Sequence, residues 1–79
     1  MHHANRNNLR PNKLINSKWT AVTPVNKEKH FLVIKLCAAA TPDEAVTHVE
    51  LEAVHTGRVQ ILPWRALQDT ALWHQGWKT

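Results

Sequence analysis

The stretch NSKWTAVTPVNKEKHFLVIKL, residues 16–36, decides the fold, because it predicts two strands that face each other across a polar connection. Residues 18–23 alternate well enough for a strand that ends at Pro24, since proline cannot donate to a sheet ladder. Residues 25–29 follow as a turn or short loop. Residues 30–37 are dense in aromatic and branched side chains, and both of their faces are largely apolar. This pattern is typical of a central strand that is covered on most of both sides.

Two further strands are predicted over residues 46–54 and 58–62. A two-residue loop between them would mix apolar and charged faces, whereas a three-residue loop with a left-handed Gly57 brings the apolar faces together. The three-residue loop predicts the register that pairs Ala53 with Val59 and Leu51 with Ile61. The opposite face is then a solvated surface that consists of Glu50, Glu52, Arg58 and Gln60.

The carboxyl-terminal part is predicted to cover the apolar face of this sheet. Pro63 ends the fourth strand, and Asp69 can cap a short helix over residues 70–75 that Gly76 closes. The fold class that results is mainly β (small α+β): a four-stranded antiparallel sheet curled toward a small barrel, with a short C-terminal helix packed on it. The predicted core consists of Phe31, Val33, Leu51, Ile61, Trp64, Leu67, Leu72, Trp73 and Trp77.

A chain of 79 residues is long enough for one small domain with a thin core. Residues 1–12 are rich in His, Asn and Arg and predict a disordered basic or polar arm. Residues 13–79 predict a single small β domain. Within it, residues 38–45 predict a loop that contains at most one turn of helix. Cys37 is the only cysteine, no secretory signal is visible, and no apolar run approaches the roughly 20 residues that cross a bilayer. We therefore expect a soluble cytoplasmic protein that makes no membrane contact.

The formal net charge of +4 is concentrated in the first third of the chain. Residues 1–29 hold six basic residues against Glu28 alone, whereas residues 30–79 hold four basic and five acidic residues. A basic segment with an aromatic side chain can follow a phosphate backbone and stack on an unpaired base. We therefore expect the front third to bind RNA, DNA or a ribonucleoprotein surface. The candidate site consists of Arg6, Arg10, Lys13, Lys18, Trp19, Lys27, Lys29 and Lys35.

The sequence favours neither exposure nor burial of Trp19, because an indole also supplies about 150–250 Å² of buried area to a small core. The alternative function is a protein–protein adaptor that uses an edge strand or the Trp-rich C-terminal face. The free edge would be the first or the fourth strand. The acidic face around Glu50 and Glu52 favours a protein partner over nucleic acid at that surface.

No catalytic signature stands out in the chain. It has two glycines, too few for a glycine-rich phosphate loop, and Cys37 lies inside a predicted strand without an activating arrangement. His48 and His55 fall on opposite faces of one strand, so they cannot share a metal ion from that strand. We expect a non-catalytic protein without a metal or a cofactor, whose oligomeric state stays open.

Three segments carry a family resemblance: NKLINSKWTAVTPVNKEKHFLVIKL, VELEAVHTGR and PWRALQDTALWHQGWK, in this order over residues 12–78. Together they resemble the small tryptophan-rich bacterial proteins of uncharacterised function. The resemblance implies no catalytic residue, cofactor or partner. The segments that depart most from the family pattern are the arm before Asn12 and residues 37–47.

Overall fold

The computed structural model describes residues 9–38 and 45–79. In chain order the elements are a first 3₁₀ turn at Pro11–Lys13, β1 at Lys18–Val25, β2 at Glu28–Ala38, β3 at Val46–Ala53, β4 at Val59–Pro63, a second 3₁₀ turn at Trp64–Gln68, and β5 at Trp73–Gln75. The prediction of a mainly β, antiparallel fold is confirmed. Within the two described ranges, no helix has the length and hydropathy of a membrane span.

The strands form one open sheet in the order β4-β3-β2-β1-β5, and every neighbouring pair is antiparallel. The prediction of four strands curled toward a barrel is therefore wrong, because a fifth strand adds to β1 and the sheet keeps two edges, β4 and β5. The molecule measures 38 × 38 × 16 Å. The shortest dimension, 16 Å, corresponds to one sheet with a thin layer of side chains and turns packed on it. The strand predicted to be central, β2, does lie in the middle.

The predicted helix over residues 70–75 is replaced by a turn and β5. Asp69 caps the turn, since its Oδ1 accepts from the backbone N–H of Ala71 at 2.9 Å and its carbonyl accepts from that of Trp73 at 3.0 Å. The chain then extends, and β5 pairs Trp73 with Ala21 and Gln75 with Trp19. So short a helix would satisfy few of its own backbone groups, whereas the open edge of β1 offers partners for all three residues.

The β3–β4 register also differs from the prediction by one residue. Residues 54–57 form a four-residue connection, closed by a 2.9 Å hydrogen bond from Ala53 N to Arg58 O. The register therefore pairs Glu50 with Ile61, Leu51 with Gln60 and Glu52 with Val59. A shift of one residue moves a side chain to the other face of a strand, so Ile61 leaves the predicted core and is 64% exposed.

One face of the sheet, the core face, carries the apolar core. Its buried residues are Leu14, Trp19, Phe31, Val33, Val49, Leu51, Ala53 and Leu67. Leu14, which follows the first 3₁₀ turn, and Leu67 of the second 3₁₀ turn cover the strands, and Leu9, Trp64 and Trp73 pack partly buried against them. Leu9 lies within the predicted disordered arm, of which residues 1–8 are outside the described part.

Two more residues of the predicted core lie outside it. Leu72, in the turn before β5, is 53% exposed, although its carbonyl accepts from the N–H of Val22 at 2.9 Å. Trp77 is 43% exposed and lies on the opposite face, the outer face, which β1 and β2 line with Lys18, Thr20 and His30. Lys18, Thr20 and His30 lie on the outer face because successive side chains of a strand point to opposite faces, and their neighbours Trp19 and Phe31 are buried on the core face.

Candidate nucleic-acid interface

The chain crosses the outer face after β5 through residues 76–78, which we call the C-terminal strap. Gly76 has a φ of 85°, a left-handed conformation that glycine adopts without strain, and its N–H donates to Lys18 O at 2.7 Å. The buried Thr20 hydroxyl donates to Gly76 O at 2.7 Å and accepts from the backbone N–H of Lys78 at 2.8 Å. One threonine thus holds both ends of the strap against β1.

The strap places Trp77 among cationic and titratable side chains. Its Nε1 donates to Phe31 O at 3.0 Å, and its ring centroid lies 5.9 Å from that of His30. The Lys18 ammonium lies 4.8 Å from the centroid of the indole, a cation–π contact. His30 Nε2 donates to Lys78 O at 2.6 Å, which fixes the imidazole beside the strap. We call Lys18, His30, Trp77 and Lys78 the outer-face cluster.

A groove of about 540 Å³ adjoins this cluster. It lies where β1 separates from β2, because the register passes from Thr20 opposite His30 directly to Val25 opposite Glu28. Residues 21–24 of β1 therefore face the single residue Lys29 of β2, which is a large bulge. Contrary to the prediction that the strand ends at Pro24, β1 continues through the bulge, and a tight turn follows in which Asn26 and Lys27 have φ of 55° and 61°.

An ion pair between the buried Glu28 and the half-exposed Arg58 holds the end of this hairpin in place. The Glu28 carboxylate is almost fully buried and accepts from Arg58 Nε at 3.0 and 3.2 Å, from Arg58 Nη2, and from the Thr56 hydroxyl at 2.6 Å. These contacts tie the start of β2 to the β3–β4 connection. The pKa of Glu28 is lowered from 4.5 to about 2, chiefly because the hydrogen bonds from Arg58 and Thr56 favour the ionised carboxylate, and the same pair raises the pKa of Arg58.

This ion pair predicts a pH dependence of stability. Because the folded pKa of Glu28 lies below its unfolded value, the stabilisation is complete above about pH 5 and is lost as the pH falls toward about 2. Glu28→Gln should lower the melting temperature at neutral pH, since it removes the carboxylate and leaves Arg58 without its counterion. The difference in melting temperature between Glu28→Gln and the wild type should then become smaller as the pH falls. Circular dichroism melts across this range test it, with Glu52→Gln as the charge-matched control that leaves the network intact. A gap that stays constant at every pH would contradict this account.

The structure separates the residues predicted from charge. Lys18 lies in the outer-face cluster and Lys29 lines the groove, whereas Lys27 lies in the β1–β2 turn. Lys35 is 3.8 Å from Glu50 and so is partly neutralised. Arg10 precedes the first 3₁₀ turn and Lys13 ends it. The neighbouring Leu9 and Leu14 pack on the core face, on the other side of the sheet from Trp77. Arg6 lies outside the described residues.

Trp19 is the main correction to the predicted site. Its side chain is 0% exposed on the core face, with Phe31 and Gln75 as its partners on β2 and β5, so it cannot stack on a base. Its Nε1 donates to the Ser17 hydroxyl at 2.8 Å. The burial follows from the fifth strand, which turns β1 from an edge into an interior strand.

The residues that sequence reasoning missed come from the end of the chain. The sequence predicts Trp77 in the core and assigns His74 and Lys78 to no site, yet all three lie on the outer face beside β1. The available signal was Gly76, which permits the sharp change of direction that separates Trp77 from the side of Trp73. Over residues 9–38 and 45–79, no group of three or more histidine, cysteine or acidic side chains could hold a metal ion.

Comparison with known proteins gives a family but no activity. The family described as tryptophan-rich protein (DUF2389), whose function is unknown, matches residues 17–78. Neither the curated proteins nor the solved structures contain a match. The matched range includes all five strands and the outer-face cluster. Since the match covers well over half of the sequence, the chain belongs to this tryptophan-rich family.

Proposed function

We propose that this protein is a non-catalytic binding protein for single-stranded nucleic acid, which it contacts through the outer-face cluster. The observation that carries the proposal is the position of Trp77, 43% exposed with the Lys18 ammonium 4.8 Å from its ring centroid. Proteins that bind single strands combine cations along the backbone with aromatic rings on which bases stack. The cluster supplies both in one place.

Each member of the cluster has a separate task in this proposal. A phosphate draws the flexible Lys18 ammonium from the indole, and an unpaired base takes its place on the ring. The indole is held for this contact by its hydrogen bond to Phe31 O, so it loses little conformational freedom on binding. Lys78 is positioned through its backbone by Thr20 and His30, which leaves its ammonium available to a second phosphate.

The distribution of charge favours a path along β1 and β5. Glu52 faces Leu32, which also faces Lys18, so Glu52 and Lys18 are about two strand spacings, or about 10 Å, apart on the outer face. Glu50 lies further along β3 and pairs with Lys35. These carboxylates repel a polyanion from the β3 side. We therefore place the bound nucleic acid on the side of the sheet where Lys18, Lys29 and Lys78 lie.

The salt dependence of binding tests this proposal. Titration with single-stranded DNA and RNA at low salt should quench tryptophan emission. Three phosphate contacts predict a slope of about −2 for the logarithm of affinity against the logarithm of salt concentration. An absence of any change in emission at low salt, or an affinity that does not depend on salt, would overturn it.

A second candidate is a protein adaptor that uses the edge strand β4. Val59 and Ile61 are exposed there beside Glu50, and a partner strand could add to the free edge of β4. A pull-down with and without nuclease separates the two candidates. A protein that nuclease treatment does not release, and that Ile61→Lys does release, would support the adaptor.

We place the protein in the bacterial cytoplasm. The lone thiol of Cys37 supports a reducing compartment, where free cysteines are ordinary. The resemblance to bacterial tryptophan-rich proteins supports the source. Fractionation of a bacterium that expresses the full chain tests both the compartment and the absence of membrane attachment.

A further inference from the structure

The bulge in β1 opens the sheet at one point and so creates the groove beside the strap. Between Thr20 and Val25 the pairing with β2 is interrupted, and Pro24 has no N–H with which to restore it. The apolar lining of the groove consists of Ala21, Val22 and Pro24. The β1–β5 pairing and the Glu28–Arg58 ion pair fix the two sides of the opening, so the groove is built into the fold.

The groove is lined by two lysine side chains together with His74, Thr20 and Thr79. Lys29 reaches it from β2, His74 from β5 and Lys78 from the strap, and no aspartate or glutamate side chain of the described chain lines it. Two ammonium groups and an imidazole around a cavity of about 540 Å³ suit an anion with several acceptor oxygens. Ligand pockets commonly measure about 300–1,000 Å³, so there is room for a nucleotide-sized group.

The groove and Trp77 are joined by the same two residues. Thr20 lines the groove and holds the strap, and Lys78 lines the groove directly after Trp77 in the chain. A ligand that fills the groove therefore ends next to the indole. A phosphodiester chain meets this geometry, because each phosphate is followed by a base that can reach a neighbouring ring.

We propose that the groove is a phosphate subsite, which binds the phosphodiester group next to the nucleotide whose base stacks on Trp77. This inference rests on the proposed function and adds its ligand class: a single strand with a charged backbone, held at one phosphate by Lys29 and Lys78. Lys27 belongs to the binding site predicted from charge, but it lies in the β1–β2 turn, does not line the groove and contacts no phosphate in this arrangement.

The test compares Lys29→Gln with Lys27→Gln, which remove the same charge two residues apart. Anisotropy of a labelled oligothymidylate of about eight nucleotides gives the affinity over a salt series. Lys29→Gln should weaken binding several-fold and make the salt slope shallower by about 0.7, the contribution of one contact to a single-stranded phosphate. Lys27→Gln should leave the slope at the wild-type value. A neutral methylphosphonate strand of equal length should not distinguish Lys29→Gln from wild type.

The outcomes separate this inference from the proposed function. Equal effects of the two substitutions, or an effect of Lys29→Gln that persists with the neutral strand, would overturn the phosphate subsite. If binding then still required Trp77, the proposed function would stand without the subsite. If the wild-type protein bound no charged strand at low salt, both would fall.

Discussion

Trp19→Ala should cause the largest loss of stability of any substitution proposed for this domain. The indole is completely buried at the centre of the core face, on an interior strand between β2 and β5. Truncation of a buried tryptophan to alanine costs about 3–5 kcal/mol, because the apolar contacts are lost and a cavity remains. A domain of this length has a total stability of about 4–12 kcal/mol. The substitution therefore removes between about a quarter and all of the stability.

Urea unfolding followed by circular dichroism measures this effect. Leu72→Ala is the matched control, because it shortens a large apolar side chain that is 53% exposed and should change the free energy of unfolding by no more than about 0.5 kcal/mol. A folded Trp19→Ala protein with the wild-type urea midpoint would show that the tryptophan does not support the core.

Trp77→Ala should produce the largest loss of nucleic acid affinity. Base stacking on an aromatic ring contributes about 1–3 kcal/mol, so its removal corresponds to a loss of about 5- to 150-fold. Trp77→Phe keeps a smaller aromatic ring, and its affinity for nucleic acid should fall between those of Trp77→Ala and the wild type. Anisotropy of a labelled single strand gives these affinities without relying on tryptophan emission.

The control for Trp77 is Ile61→Ala, which removes another exposed apolar side chain from the outer face. Ile61 pairs with Glu50 on the acidic side of the sheet and should not contact the strand. Circular dichroism must first show that both variants remain folded. A loss of affinity that is equal in the two variants would mean that Trp77 provides only general apolar surface.

The pattern of residues 30–37 was enough to predict the central strand, because a stretch with two apolar faces has few other places in a sheet. The surroundings of β1, which lies beside β2 in the sheet, were harder to predict. Whether Trp19 is buried depends on β5, and β5 forms through pairing with β1 that no pattern within WHQ announces. Local preference was therefore outweighed by the open edge of a distant strand.

The sequence indicated some of the residues of the proposed site and not others. Lys18 and Lys29 were identified from charge, and their positions on β1 and β2 bring both to the outer face. The prediction placed Trp77 in the core, whereas Gly76 redirects the chain and carries Trp77 over the outer face. The position of Ile61 depended on one residue of loop length, which sequence alone determines poorly.

The central claim is that single-stranded nucleic acid binds across the C-terminal strap. Amide chemical-shift mapping of the ¹⁵N-labelled protein, titrated with a short oligothymidylate, tests it residue by residue. We predict the largest shifts at Lys18, Thr20, His30 and residues 76–78, together with the indole N–H of Trp77, and unchanged signals for Ile61 and Leu67. Shifts that centre on β4, or none at all, would contradict the account.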